Sequence, residues 1–224
     1  QQAIIANVAA DRFHDHVAYE RFTPDGPIAM LPLPDGGCTV VWTVATDAAP
    51  ALLALDDAAF LARLQGAFGY RLGRFRRVGR RHGYPLALTR SERQVAPRAV
   101  VIGNAAQGLH PIAGQGFNLG LRDVAALAEV IADELNGHGA AADPGAARVL
   151  ERYAAWRRDD RRQVIAFTDG LVRLFGNPLP PLRAARGAGL LLFDLLPPAK
   201  DAFARATMGL AGRLPRLARG VPLS

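Results

Sequence analysis

Residues 100–123 read Val100-Val101-Ile102-Gly103-Asn104-Ala105-Ala106-Gln107-Gly108-Leu109-His110-Pro111-Ile112-Ala113-Gly114-Gln115-Gly116-Phe117-Asn118-Leu119-Gly120-Leu121-Arg122-Asp123. A short apolar run over 99–102 ends at Gly103, glycines recur at 114, 116 and 120, and apolar residues then follow at helical spacing. The pattern predicts a strand, a glycine-rich loop and a helix. A glycine at the end of a strand lets another group approach the backbone, because no side chain intervenes. A helix starting beside such a loop presents unpaired N–H groups and the positive end of its dipole. The combination suits an anion, or a ring that becomes anionic. A Walker phosphate loop is excluded, since no Gly-Lys-Ser/Thr follows. The dinucleotide fingerprint Gly-x-Gly-x-x-Gly is not met either, the spacing being Gly114-x-Gly116-x-x-x-Gly120. On glycine spacing alone, a cofactor loop and a turn serving only close helix packing stand level.

Upstream, residues 3–8, 17–22, 28–33 and 39–45 are short strand-like runs separated by Thr23-Pro24-Asp25-Gly26 and Pro34-Asp35-Gly36-Gly37. Such short connections imply antiparallel pairing. Asp56 or Asp57 is placed to cap a helix running to Phe68, and the basic stretch 71–88 is expected to return to the sheet. Downstream, Val124, Leu127, Ile131 and Leu135 form the expected apolar stripe of a helix that Asn136-Gly137 would stop. A second, long helix is expected over 146–175, with Val149, Tyr153, Trp156, Val164, Phe167, Leu171 and Leu174 on its period. Helical pieces over 190–196 and 202–214 follow. The run Arg157-Arg158-Asp159-Asp160-Arg161-Arg162 reads first as a solvated helix face and second as a domain contact.

The 224 residues are half hydrophobic and 21% charged, enough for a real core and against general disorder. The single cysteine, Cys38, excludes an internal disulfide framework, fits a reducing compartment and reads as a buried strand residue. The net charge of +7 rests on arginine, Lys200 being the only lysine. No zinc-ligand set, basic zipper or aromatic RNA-binding signature accompanies it, so a nucleic-acid partner is not expected. His14 and His16 share strand spacing, but without a third ligand nearby they read as exposed polar residues, and no metal site is expected. His110 is equally suited to donating toward a bound ring and to bracing its loop; His82 and His138 suggest nothing. No apolar run approaches the ~20 residues of a membrane-spanning helix.

The string from Gly103 to Asp123 closely resembles the second flavin-binding motif of the para-hydroxybenzoate hydroxylase-like monooxygenases, and within them is similar to the ubiquinone-biosynthesis hydroxylases. The resemblance continues through Tyr84-Pro85-Leu86, through the run from Phe22 to Pro32, and through Tyr153, Arg157 and Arg158. It implies an α+β to α/β fold: a mostly antiparallel substrate sheet over 1–95, the second half of an FAD domain over 96–175, and a C-terminal helical region over 176–224. It implies FAD on Gly103, Asn104, Pro111, Gly114, Gln115, Gly116, Phe117, Asn118 and Leu119. Asn104 stands where an aspartate accepting from a ribityl hydroxyl is common, and an asparagine still accepts through its amide oxygen. That departure points toward the 2-octaprenyl-6-methoxyphenol hydroxylase branch. Pro111 would lie beside the reactive edge of the flavin. Asn118 would bond the ring or, slightly favoured, cap the helix. Met30 and Pro32 would line the substrate pocket or serve as ordinary sheet core.

The implied activity is an FAD-dependent hydroxylation of a polyprenylated phenol, with NAD(P)H and O2 as co-substrates. The cofactor supplies the difficult chemistry, so no acid–base pair or triad is needed and no catalytic side chain is assigned. The first FAD motif of the family, Gly-x-Gly-x-x-Gly, does not occur, and the text begins at Gln1-Gln2-Ala3 inside a strand-like run. The expectation is a C-terminal fragment that is inactive alone and binds FAD weakly. The rivals are a sibling hydroxylase acting at another ring position and a non-catalytic lipid- or partner-binding module with a degenerate flavin loop. The arginine- and leucine-rich tail over 189–217 reads as helices packed on the core, or as an interfacial surface for a polyprenyl substrate or a ubiquinone-biosynthesis partner. The expected location is the cytoplasm, with the inner-membrane surface as the alternative.

Overall fold

The computed structural model describes residues 1–87, 89–108, 115–176, 179–210 and 212–223. The chain forms two units, Gln1–Ala87 with Leu171–Arg186, and Leu88–Gly170 with Gly187–Ser224.

The first unit is built on strands β1 (Gln2–Ala10), β2 (Tyr19–Thr23), β3 (Gly26–Pro32) and β4 (Cys38–Val44), followed by helices α1 (Ala49–Leu53) and α2 (Asp57–Phe68) and strands β5 (Phe75–Val78) and β6 (His82–Pro85). All pair antiparallel in one sheet of order β2-β3-β4-β1-β5, with β6 also on β1. The four expected strands and the return of 71–88 to the sheet are all present. Register explains the core. Ile4, Trp42 and Ile28 form one cross-strand row, and Ala6, Val40 and Met30 the next. Facing residues of paired strands share a side, and these rows are buried with Phe60, Leu64 and Phe68 of α2. Trp42 meets Phe60 edge-on at 5.8 Å between ring centroids. Cys38 is buried on β4, and burial pushes its thiol pKa up.

The turns behave as their residues dictate. Asp35 Oδ1 accepts from the Gly37 N–H at 3.0 Å, and Asp56 Oδ1 caps α2 by accepting from the Ala59 N–H at 2.7 Å. At Gly26, φ is +141°, and a Cβ there would stand 2.6 Å from Thr43 Cγ2, so only glycine fits the turn. His14 departs from expectation. Residues 11–18 form a loop in which Asp15 and His16 have φ of 49° and 58°, so the histidines have no common strand face. His14 is buried, with Nε2 3.1 Å from the Leu33 carbonyl while Nδ1 accepts from the His16 N–H at 3.0 Å. It is a buried histidine holding the loop. Among the described residues no three potential ligands gather around a metal position.

The second unit opens with four two-residue strands, β7 (Thr89–Arg90), β8 (Val95–Ala96), β9 (Ala99–Val100) and β10 (Gln107–Gly108), in which β7 pairs with β10 and β8 with β9. The strand expected over 99–102 is therefore shorter, with Ile102 extended beyond it. Helices α3 (Gln115–His138), α4 (Ala147–Gly176), α5 (Pro180–Asp194) and α6 (Pro197–Thr207) follow, α4 and α5 each contributing to both units.

The stripe expected for α3 is displaced. Val124 and Leu135 are about half exposed, and the buried face carries Leu119, Asp123, Ala126, Glu129, Val130 and Glu134. The charged run on α4 is likewise not a solvated face throughout, because Arg157 and Arg161 are buried while Asp159 and Arg162 stay in solvent. Apolar periodicity misplaces both faces because paired charges fill positions that it reserves for hydrophobes.

Leu64 is completely buried against the sheet. Leu64→Ala is expected to lower unfolding stability by about 2–5 kcal/mol, read by urea denaturation, whereas Asp56→Ala at the α2 cap should cost about 1 kcal/mol.

Candidate functional site

The turn that follows β9, residues 103–107, is shaped by one carboxylate. Asp123, in the third turn of α3, is completely buried. Its Oδ2 accepts from the Gly103 N–H and from Gln107 Nε2, each at 3.2 Å, and its Oδ1 accepts from Arg157 Nε on α4 at 2.8 Å. Arg157 also pairs with Asp160, which in turn accepts from Arg122 Nη1 at 2.7 Å. Asp123 thus joins both ends of the turn 103–107 to two helices. Within that turn Gly103 has φ of +60° and opens a single 3-10 turn, Gly103–Ala105. The Ala106 N–H donates to the Gly103 carbonyl at 3.0 Å, and the Ala106 carbonyl accepts from Ser91 N–H at 2.8 Å.

The turn lies directly on the start of α3. A Cβ on Gly120 would stand 3.4 Å from Gly103 Cα, and one on Gly116 would stand 3.9 Å from Asn104 Oδ1. Asn104 is exposed, and among the described residues its side-chain amide has no hydrogen-bond partner. Gln115 to Asn118 form the first described turn of α3. Among the described residues the 103–105 turn and this helix start meet backbone to backbone, a shallow cradle beside the exposed Asn104 side chain.

Of the residues expected to hold a cofactor, Gly103, Asn104 and Gly116 come together here. Gln115 is buried, and its Nε2 donates to the Thr207 carbonyl of α6 at 2.9 Å, so its side chain braces the helix start. Phe117 is exposed, while Leu119 is fully buried in the unit. Asn118 lies inside the first turn of α3, not ahead of it, so it does not cap this helix. Pro111, Gly114 and His110 lie outside the described residues. Met30 and Pro32 belong to the other unit. Met30 has no exposed surface and packs in the sheet core, and Pro32 is half-buried at the end of β3. Register places Ala29 and Leu31 on the opposite, more open face with Ile5, Val41 and Thr39. Asp123, Gln107 and Arg157 escaped the sequence reading as a trio. The available signal was an acid four residues after Leu119 on the buried side of one helix, with an arginine run on the next.

A family model described as FAD binding domain matches residues 4–168. The chain belongs to that family. Ubiquinone hydroxylase UbiL of Rhodospirillum rubrum is 45% identical over 227 residues, covering 100% of this chain and 52% of its own length. The 3-demethoxyubiquinol 3-hydroxylase of Escherichia coli is 33% identical over 192 residues, covering 85% of this chain and 48% of its own. The resemblance to ubiquinone-biosynthesis hydroxylases is borne out by these relatives. Among solved structures, OxyS anhydrotetracycline hydroxylase from Streptomyces rimosus superposes with a TM-score of 0.63 at 22% identity, covering 96% of this chain and 41% of that one. The fold is that of the para-hydroxybenzoate hydroxylase-like flavoproteins, as expected. The chain spans about half the length of the curated relatives it matches.

Breaking the buried pair should be costly, because it strands a charge. Asp123→Asn or Arg157→Met alone is expected to destabilise the second unit by about 3–5 kcal/mol, and the double substitution by clearly less than the sum. Denaturation of the three variants checks this; strictly additive losses would show that the two groups do not act together.

Proposed function

We propose that the protein is an FAD-dependent monooxygenase that hydroxylates a polyprenylated phenol of the 2-octaprenyl-6-methoxyphenol type in ubiquinone biosynthesis, using NAD(P)H and O2. One observation carries this reading. The Gly103–Ala105 turn, set on Gly116 and Gly120, leaves a side-chain-free cradle beside an unpartnered Asn104 amide, within the stretch matched by the FAD-binding family model. The cradle suits FAD: the Gly103 and Gly116 backbones would admit close approach, Asn104 would accept from a ribityl hydroxyl, and the positive end of the α3 dipole would favour the electron-rich ring. Pro111, Gly114 and the buried Leu119 complete the proposed segment. When bound, FAD supplies the oxygen-transfer chemistry, and the residues of this chain hold and orient the ring. For the phenol we propose the open face of β3, where Ala29 and Leu31 offer the surface, Met30 backs them from the core and Pro32 closes the strand end.

Support for the substrate class comes from the names of the relatives. A second reading keeps the chemistry and moves it to another ring position, and the name of the E. coli relative favours it. Protein expressed from the complete reading frame, given NADH or NADPH and candidate prenylated phenols, is the test. Oxygen uptake coupled to a hydroxylated product is expected, and the position of the new hydroxyl separates the two readings. In that protein Asn104→Ala is expected to weaken FAD binding up to about tenfold by flavin fluorescence titration, and Asn104→Asp to retain it. Gly116→Val, which fills the cradle, should weaken it at least as much. Wild-type affinity in both Asn104→Ala and Gly116→Val would remove the cradle from consideration.

We further propose a peripheral contact with the inner-membrane surface, where a polyprenyl chain would be met. Among the described residues no helix is long and apolar enough to cross a membrane. Leu190, Leu191, Leu192, Leu195 and Leu196, at the end of α5 and just after it, are each more than half exposed, which supports an interfacial role. The double substitution Leu191→Asp/Leu195→Asp is expected to abolish co-flotation with anionic liposomes; wild-type protein left wholly in the soluble fraction would refute the contact.

A further inference from the structure

The second unit contains a cavity of about 280 Å3 walled by the segment 90–95, by β10 and by α4. Its wall carries Arg90, Arg93, Arg158, Arg161 and Arg162 against the single carboxylate of Glu92. Helical geometry sorts the charged run of α4. Arg157 and Asp160 go to Asp123 and Arg122, while Arg158, Arg161 and Arg162, three and four residues apart, form one patch in the cavity wall. Among the described residues Arg90, Arg93 and Arg158 have no ion pair, and the nearest carboxylate to Arg162 is that of Asp159, at 4.0 Å.

Arg161 makes the arrangement more than a solvated basic face. It is about nine-tenths buried, with the Tyr153 hydroxyl as its hydrogen-bonding neighbour inside the unit and Nη1 otherwise unmatched. Loss of water lowers its pKa, which shows an environment that disfavours the bare cation. Native proteins rarely leave a buried guanidinium donor unmatched. Gln94, also in the wall, has a buried amide oxygen without a partner. An anion with several acceptor oxygens would match the guanidinium groups that open onto the cavity.

We propose that this cavity is a binding site for a phosphate monoester or inorganic phosphate. Guanidinium forks match phosphate oxygens in pairs, and five of them around one cavity exceed what a single carboxylate requires. The volume is several times the ~30 Å3 share of one water, room for the anion and part of its hydration. The site is separate from the Asn104 cradle and does not depend on flavin binding.

Isothermal titration at fixed ionic strength tests it, with inorganic phosphate in one arm and adenosine 2′,5′-bisphosphate in the other. Saturable binding is expected, weakened about tenfold or more in Arg93→Gln/Arg158→Gln, whose side chains are exposed and can be changed without opening the core. Arg161→Met is expected to abolish binding, and circular dichroism establishes that it folds. Equal affinity for the two ligands assigns the site to the free ion. Markedly tighter bisphosphate binding, lost in the same double variant, assigns it to a nucleotide phosphate. Undiminished affinity in Arg93→Gln/Arg158→Gln, or no saturable binding of either ligand, overturns the site.

Discussion

The second unit depends on the Asp123 carboxylate. A loop that leaves its strand at Gly103 in a left-handed conformation has no intrinsic reason to hold one shape. It is held here because both ends of the turn, the Gly103 N–H and the Gln107 amide, donate to the same oxygen, while Arg157 balances the charge from the neighbouring helix. A buried carboxylate with fewer donors would lose more in desolvation than it gains. Three donors, one of them cationic, make the arrangement self-consistent, and removal of any one leaves an unmet polar group. Glycines at 116 and 120 then allow the fixed turn to rest on the helix.

The two helices repeat the device along their length. Glu134 pairs with Arg148, Asp133 with Arg152 and Arg216, and Glu129 accepts from the Arg216 backbone N–H at 2.5 Å. Apolar packing between them is thin, centred on Ala126, Val130, Val149 and Tyr153. With so few apolar side chains between them, the charge pairs mainly fix which faces meet, a matter of specificity more than of net stability. The sheet unit works the other way. Its rows of Ile, Val and aromatic residues against α2 are apolar throughout, and its buried His14 answers to backbone partners.

That contrast explains what could be read from the chain. Strands β1 to β4 and helix α2 follow from alternation, turn residues and the Asp56 cap, because burial in that unit tracks hydrophobicity. Gly103, Asn104 and Gly116 were legible as a group, since close approach demands glycine and the string around them is long. The burial of α3 was not. Val124 and Leu135 have the right period yet point outward, and Asp123, Glu129 and Glu134 lie inside because arginines far along the sequence neutralise them. Hydrophobic periodicity assumes that charge means solvent, and it fails where charges meet their partners only after folding. His14 failed for the same reason: its two partners, the His16 N–H and the Leu33 carbonyl, exist only once the loop at 11–18 has closed.

The same accounting separates structure from ligand within the cradle. The anion that organises the loop is internal, and it occupies the Gly103 N–H from the helix side. Among the described residues the Asn104 side-chain amide is exposed and has no protein partner. At position 104 an asparagine offers an acceptor oxygen without adding a charge to the turn. The turn 103–107 is thus held by the protein's own groups, the condition under which binding energy goes into orienting a ligand and little is lost in ordering the protein.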